Sequence, residues 1–371
     1  MSCCFKFLLV VAIGLLPVAA GAAEQSSEDT TNMLETIRKK HDFPALAVVV
    51  VKDGKIVDRA AVGIRKQGDT TPVTTNDLFH IGSVTKSMTA TLAGILVEEG
   101  KLRWDITIAE VFPDLNGKMD KFYETVTLEQ LLTHHGGVPG TPPLNAWLRA
   151  RAEQGTPMEQ RREFIAAVLA EKPADTSGTN EIYSNQGYAI AGAMMEKVTG
   201  KAWETLIQEK LFKPLHMATV GFGAPGTPGK TDQPWGHSKR LWWTAASQDD
   251  NPPAIAPAGR VHLSLDDLAR YAIFHMEGEK KDGLLKSATV QKLHTPAKGG
   301  DYAMGWVVGT RPWAGGTTLW HNGSNTYWYV NVWLAPVKDF AVIIATNTGV
   351  DDAHKGTDEA AVAMIKKWLG E

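Results

Sequence analysis

Strand-like runs crowd both ends of this chain and a long middle carries helical ones, and this segregation constrains the fold more than any other feature. Near the N-terminus, residues 45–51 and 56–64 are rich in β-branched side chains and are joined by Asp53-Gly54, a two-residue hairpin signal. Toward the other end, residues 302–310, 317–321, 327–334 and 340–346 read as strands separated by Gly, Pro or Asp. The middle holds apolar residues at helical spacing in 84–99, 128–134, 158–170, 186–199, 203–211 and 265–276. A short helix at 32–40, broken at Phe43-Pro44, and a last one at 358–369 bracket the whole. Strand runs at the two ends seek partners in a shared core. The expected fold is therefore α+β: one antiparallel sheet built from both termini, with flanking helices and an inserted, mostly helical region. The sheet part is expected at about 31–80 and 300–371 and the helical part at about 81–299, within a single domain over 24–371.

With 43% hydrophobic and 21% charged residues, the chain is neither disordered nor fibrous. Met1 to Ala23 combine one cation, Lys6, with an apolar run from Phe7 to Ala20 and small residues near Ala22, the pattern of a cleaved export signal. The run is shorter than the roughly 20 residues of a spanning helix, and Pro17 interrupts it, so no stable membrane span is expected after cleavage. The expected destination is the periplasm or the medium. Cys3 and Cys4 both fall in this leader, which leaves the mature chain without thiols, disulfides or Cys-based zinc sites. No His-Glu-x-x-His string occurs, so neither a metal nor another cofactor is expected. Lys6 is the leader's one charged residue, so its loss changes the formal charge from −3 to −4, without long runs of one sign. That balance argues against nucleic acid and anionic membranes and favours a small molecule or short peptide as substrate.

Three short motifs carry chemistry. Ser83-Val84-Thr85-Lys86 opens a helical pattern read as amphipathic, and its i, i+3 spacing puts Ser83 and Lys86 side by side. A serine hydroxyl needs a base, and a lysine amine qualifies once burial lowers its pKa. Free N–H groups at the helix start stabilise charge developing beside Ser83. Taken alone, Ser-x-x-Lys is expected about once by chance in a chain of this composition. Tyr183-Ser184-Asn185 adds a phenol able to share the nucleophile's proton and an amide able to orient a substrate carbonyl. A second Tyr-x-Asn, at Tyr329-Val330-Asn331, is explained by strand alternation. His321-Asn322-Gly323-Ser324 follows a strand; Gly323 is expected to let substrate lie against the backbone, and the Ser324 N–H to complete an oxyanion hole. The rival His134-His135-Gly136 ends a helical pattern and is assigned to packing.

In this order, and together with residues 79–86, 131–134, 183–187, 257–259 and 304–306, these motifs resemble the serine β-lactamase-related family. That family includes class C β-lactamases, D-alanyl-D-alanine carboxypeptidases, family VIII esterases and related amidases. The resemblance runs from about Asn32 to the C-terminus and implies a β-lactamase/transpeptidase-like fold. It implies Ser83 as the acylated nucleophile, Lys86 and Tyr183 as handlers of its proton, Asn185 as holder of the substrate amide, and His321 on the far wall. The backbone N–H groups of Ser83 and Ser324 form the oxyanion hole by the same resemblance. Coupled titration leaves the choice of base between Lys86 and Tyr183 open.

The third motif departs from the pattern. Class C β-lactamases carry Lys-Thr-Gly where this chain has His321-Asn322-Gly323. Histidine, with a reference pKa of about 6.5, offers no permanent cation to a β-lactam carboxylate. The carboxypeptidase branch uses histidine followed by threonine, where this chain has Asn322. A Gly221–Gly226 dinucleotide-like string is denied its helix by Pro225 and Pro228, and no Gly-x-Ser-x-Gly elbow occurs. The sequence thus predicts a serine hydrolase acting through a Ser83 acyl-enzyme on a small ester, amide or D-amino-acid peptide. The alternatives are a D-alanyl-D-alanine carboxypeptidase or weak β-lactamase, and a non-catalytic penicillin- or peptide-binding relative.

Overall fold

A computed structural model describes residues 19–240, 243–350 and 352–370, with the backbone alone for 19–27, Arg240 and Trp243. Most of the expected leader, Cys3 and Cys4 included, lies outside the described residues, as does Trp242. The strands in chain order are β1 (Ala45–Lys52), β2 (Lys55–Gly63), β3 (Leu78–His80), β4 (Gly221–Phe222), β5 (Gly236–Arg240) and β6 (Trp243–Ser247). They continue with β7 (Val261–Ser264), β8 (Val307–Arg311), β9 (Gly316–Ser324), β10 (Tyr329–Ala335) and β11 (Phe340–Thr346). Six form one sheet in the order β2-β1-β11-β10-β9-β8, every pair antiparallel. The first and last strands of the sequence therefore meet at its centre, with Leu46 opposite Thr346.

The central strands are apolar on both faces because both faces are covered. Along β1, Ala47, Val49 and Val51 pack toward the helical region, while Leu46, Val48 and Val50 pack with Leu34, Phe340, Met364 and Ile365 in a second core. That second core lies beneath the helices α1 (Ala19–Lys40) and Ala353–Leu369. The layering is helix, sheet, helix, and it agrees with the α+β expectation. Among the described residues, no helix is long and apolar enough to cross a membrane.

Several elements differ from their sequence reading. The helix α1 already includes Ala19, the first described residue, well before residue 32, because its Ala, Glu and Gln residues favour helix without an apolar stripe to announce it. The final helix starts at Ala353, and Leu144–Arg151 forms a helix outside the segments read as helical. Tyr302 lies outside β8, joined to Val307 by an isolated bridge. The Pro- and Gly-rich stretch 224–257 holds the β5–β6 hairpin. His237 anchors it by accepting the Gln67 N–H at 2.9 Å on Nε2 and donating from Nδ1 to the Asn347 carbonyl at 2.7 Å.

The helix α2 (Thr85–Glu98), which carries Lys86, is not amphipathic: every residue from Thr85 to Leu96 is buried. It packs among the helices Asn185–Thr199, Ala256–Gly259 and Ser287–Leu293, so all its faces need partners. Its hydroxyls find them internally. Ser87 donates to the Val84 carbonyl at 2.8 Å, Thr91 to that of Ser87 at 3.0 Å and Thr89 to that of Pro257 at 2.7 Å.

Candidate active site

Ser83 lies in a 3-10 turn, Gly82–Val84, that leads directly into α2. The end of β9 packs against this turn. A Cβ on Gly82, whose φ is 48°, would lie 2.2 Å from Ser324 N; one on Gly323 would lie 2.0 Å from Ile81 O and 2.7 Å from Ser83 N. Bare backbone on both sides is what allows the contact, and it sets the backbone nitrogens of Ser83 and Ser324 close together. Gly323 was expected to make room for substrate. The room left by its missing Cβ is taken by the chain's own Ile81 and Ser83, while Gly323 itself lines the cavity beside Ser83.

Lys86, the second residue of α2, is fully buried. Its Nζ lies 2.9 Å from Ser83 Oγ, 2.7 Å from Asn185 Oδ1 and 2.9 Å from the Ala258 carbonyl oxygen. Burial holds its pKa well below the ordinary lysine value. Asn185 begins the helix Asn185–Thr199, whose N-cap Ser184 accepts the Gly187 N–H. Tyr183, just before that cap, stands at the cavity edge with 44% of its surface exposed. Protein packed around its phenol raises the pKa to about 12, the Ser83 hydroxyl opposing.

His321 is 3% exposed on β9. Its Nδ1 faces the Asn322 carbonyl oxygen, an acceptor only, so Nδ1 carries the proton and Nε2 accepts from the Tyr302 hydroxyl at 3.0 Å. Burial, reinforced by Lys86, lowers its pKa to about 3. Both ring nitrogens are thus committed in a neutral imidazole.

A cavity of about 350 Å³ brings Ser83, Tyr183, His321, Gly323 and Ser324 together. Its remaining wall includes Glu181, Tyr302, Trp320 and Tyr329. Asn185 faces a neighbouring cavity of about 290 Å³ beside Leu144, Trp147 and Ile255. Tyr329, set aside in the sequence as a strand residue, is on the strand β10 and also lines the first cavity, where its hydroxyl accepts from Asn322 Nδ2 at 2.6 Å.

Other neighbours lie outside the three motifs. His134 is wedged between Tyr183 and Tyr302, ring centroids 4.5 and 4.6 Å away, and its Nδ1 accepts the Ser184 N–H at 3.2 Å. It packs, as the sequence implied, but against the site. Asp250 joins two segments: its Oδ1 lies 3.0 Å from His80 Nε2 and accepts from Asn325 Nδ2 at 2.8 Å. The other nitrogen of His80 accepts the Gly82 N–H at 3.1 Å. Burial alone would raise the Asp250 pKa, but His80, Asn325 and Arg260 together hold it below the usual carboxylate range. The hydrogen-bond acceptor supplied by Ala258 is a main-chain atom and leaves no trace in residue type. Among the described residues, no group of three or more His, Cys, Asp or Glu side chains is gathered as a metal ion would need.

Comparison with known proteins follows the same lines. The chain is 28% identical over 341 residues to a penicillin-binding protein 4 of Amycolatopsis lactamdurans, covering 85% of this chain and 84% of that one. It is 26% identical over 285 residues to a beta-lactamase of Pseudomonas fluorescens, covering 74% and 72% of the two chains. A class C beta-lactamase structure superimposes with a TM-score of 0.75 at 21% identity, over 93% of this chain and 98% of that one, which shows a shared fold. Residues 30–365 match the Beta-lactamase family, and the chain belongs to it.

Proposed function

We propose that this protein is a serine hydrolase that forms an acyl-enzyme on Ser83 with a small ester, amide or D-amino-acid peptide. One observation carries the reading, the hydrogen-bond inventory of Lys86. A neutral amine has two N–H donors and one lone pair. The carbonyl oxygens of Asn185 and Ala258 take the two donors, and Ser83 Oγ remains opposite the lone pair. The buried amine is thus placed to receive the Ser83 proton.

As Oγ bonds to the substrate carbonyl carbon, its proton passes to Lys86 Nζ and the carbonyl oxygen becomes an oxyanion facing the N–H groups of Ser83 and Ser324. Collapse expels an alcohol or amine, which takes a proton from the site. With a pKa near 12, Tyr183 stays protonated at neutral pH, so we assign it the role of proton donor to the leaving group and Lys86 that of base; Lys86 then returns the Ser83 proton to the tyrosinate, which restores both groups before water enters. Water then attacks the ester on Ser83 and gives a proton to Lys86, which passes it to Ser83 Oγ as the acyl bond breaks and the acid is released.

Purified protein turns over short-chain aryl esters on this reading, and Ser83→Ala reduces the rate at least about 10³-fold while keeping the fold. A Ser83→Ala protein with full activity refutes the mechanism. A non-catalytic binding role fits poorly with a complete Ser83, Lys86 and Tyr183 set. Carboxypeptidase activity is the second reading, favoured by the histidine at position 321. Export rests on the Met1–Ala23 pattern alone, and the N-terminal sequence of the mature protein checks it.

A further inference from the structure

We propose that the cavity beside Ser83 selects substrates whose group lodged there is uncharged or carries a protonated amine, and discriminates against a carboxylate. The proposal deepens the serine hydrolase reading and rests on it. Of the residues that line the cavity, Glu181 is the only one with a formal charge; no lysine or arginine contributes to the wall. The donors on the wall are neutral, and several are already engaged. The one N–H of His321 serves the Asn322 carbonyl, and the Asn322 amide serves Tyr329. Ser324 Oγ accepts the Thr326 N–H at 2.9 Å and keeps one neutral O–H. An anionic group entering here would shed water without gaining a counterion.

The field runs the other way. Burial raises the pKa of Glu181, the nearby Asp301 carboxylate adds to the effect and His135 opposes it, and among the described residues neither carboxylate is in a salt bridge. Behind Tyr329, Asp358 is held by Asn331 Nδ2 at 2.6 Å and adds a third negative centre. The faces available to a substrate are aromatic. Trp320 is fixed by stacking on Trp333, centroids 5.2 Å apart and planes 18° apart, and Tyr183 and Tyr302 meet edge to face at 6.2 Å. An ammonium group gains from such faces and from Glu181; a carboxylate is repelled by both.

The test is a matched series of p-nitrophenyl esters with hexanoyl, 6-aminohexanoyl and adipoyl groups, plus a second series with the same end groups on the alcohol. Expected is a kcat/KM for the ammonium ester at least about tenfold above that of the carboxylate ester in one series or both. Glu181→Gln shrinks that ratio, and Glu181→Lys moves it toward the carboxylate. A carboxylate ester that matches or beats its ammonium counterpart in both series overturns the proposal, as does a ratio indifferent to Glu181→Lys. Should Ser83 chemistry itself fail and no ester react, Trp fluorescence titration with hexylammonium and hexanoate still decides. Tighter hexylammonium binding supports the proposal, and equal or tighter hexanoate binding defeats it.

Discussion

A methyl group at position 323 would collide with the Ile81 carbonyl oxygen at 2.0 Å, and neither backbone can yield without moving the nucleophile. Gly323→Ala is therefore expected to lower kcat about 100-fold or more, the order of losing one oxyanion donor, with a smaller loss of stability of about 1–3 kcal/mol. Steady-state kinetics and thermal melts on the same preparation separate the two effects. Lys86 offers a pH test. Its pKa lies well below the ordinary 10.5, so the amine is neutral well before pH 10.5. The kcat/KM should rise through that depressed value and level off short of pH 10, and Lys86→Met should remove both the limb and the activity. At this scale the candidate site was readable wherever chemistry resides in residue type: Ser83, Lys86, Tyr183, Asn185, His321 and Ser324 converge. Ala258 was hidden because its contribution is a carbonyl, and Glu181 and Tyr302 because no motif names them.

Among elements, the inserted helices are tied by one buried cation. Arg161, on the helix Pro157–Leu169, is fully buried between Glu196, Glu204 and the Pro253 carbonyl, which joins three helices and a turn. Glu196 also accepts the Trp203 N–H at 2.9 Å. Removing the arginine strands two carboxylates in the interior. Arg161→Ala is expected to destabilise by about 3–5 kcal/mol in chemical denaturation, whereas Glu204→Gln, whose side chain is 18% exposed, should cost less. The strands of the sheet were legible within a few residues because β-branched runs bounded by turn residues announce themselves. The all-buried α2 was misread as amphipathic, since its threonines and serine count as polar in a sequence yet satisfy their hydroxyls within the fold. The β5–β6 hairpin stayed hidden among Pro and Gly because long-range contacts through His237 hold it.

For the molecule as a whole, buried imidazoles set the response to acid. Burial lowers the pKa values of His134, His237, His275 and His321, the last to about 3. Unfolded histidines bind protons below about pH 6.5, whereas these do not until the pH is lower. The unfolded chain thus binds more protons, and stability falls as the pH drops from about 6.5 toward 3, by up to about 1.4 kcal/mol per unit for each such histidine. Melting temperatures between pH 7.5 and 4.5 test this, and His321→Gln should flatten the slope. The layered plan was readable from the distribution of strands and helices, while the joining of the two ends at the sheet centre was readable only as an expectation of pairing.

That joining has a consequence in time. Residue 83 leaves the ribosome early, but its facing wall on β9 and the strands that hold β9 in place come from the last part of the chain. At roughly 5–20 residues per second, Ser83 waits tens of seconds for Ser324 to be made. A chain that stops short of β9 lacks the Ser324 side of the candidate site, and contacts between residues as far apart in sequence as Leu46 and Thr346 form slowly. Hydrolytic activity is therefore expected only after β9, β10 and β11 have joined β1, and a refolding experiment that follows turnover reads the closure of the β1–β11 seam.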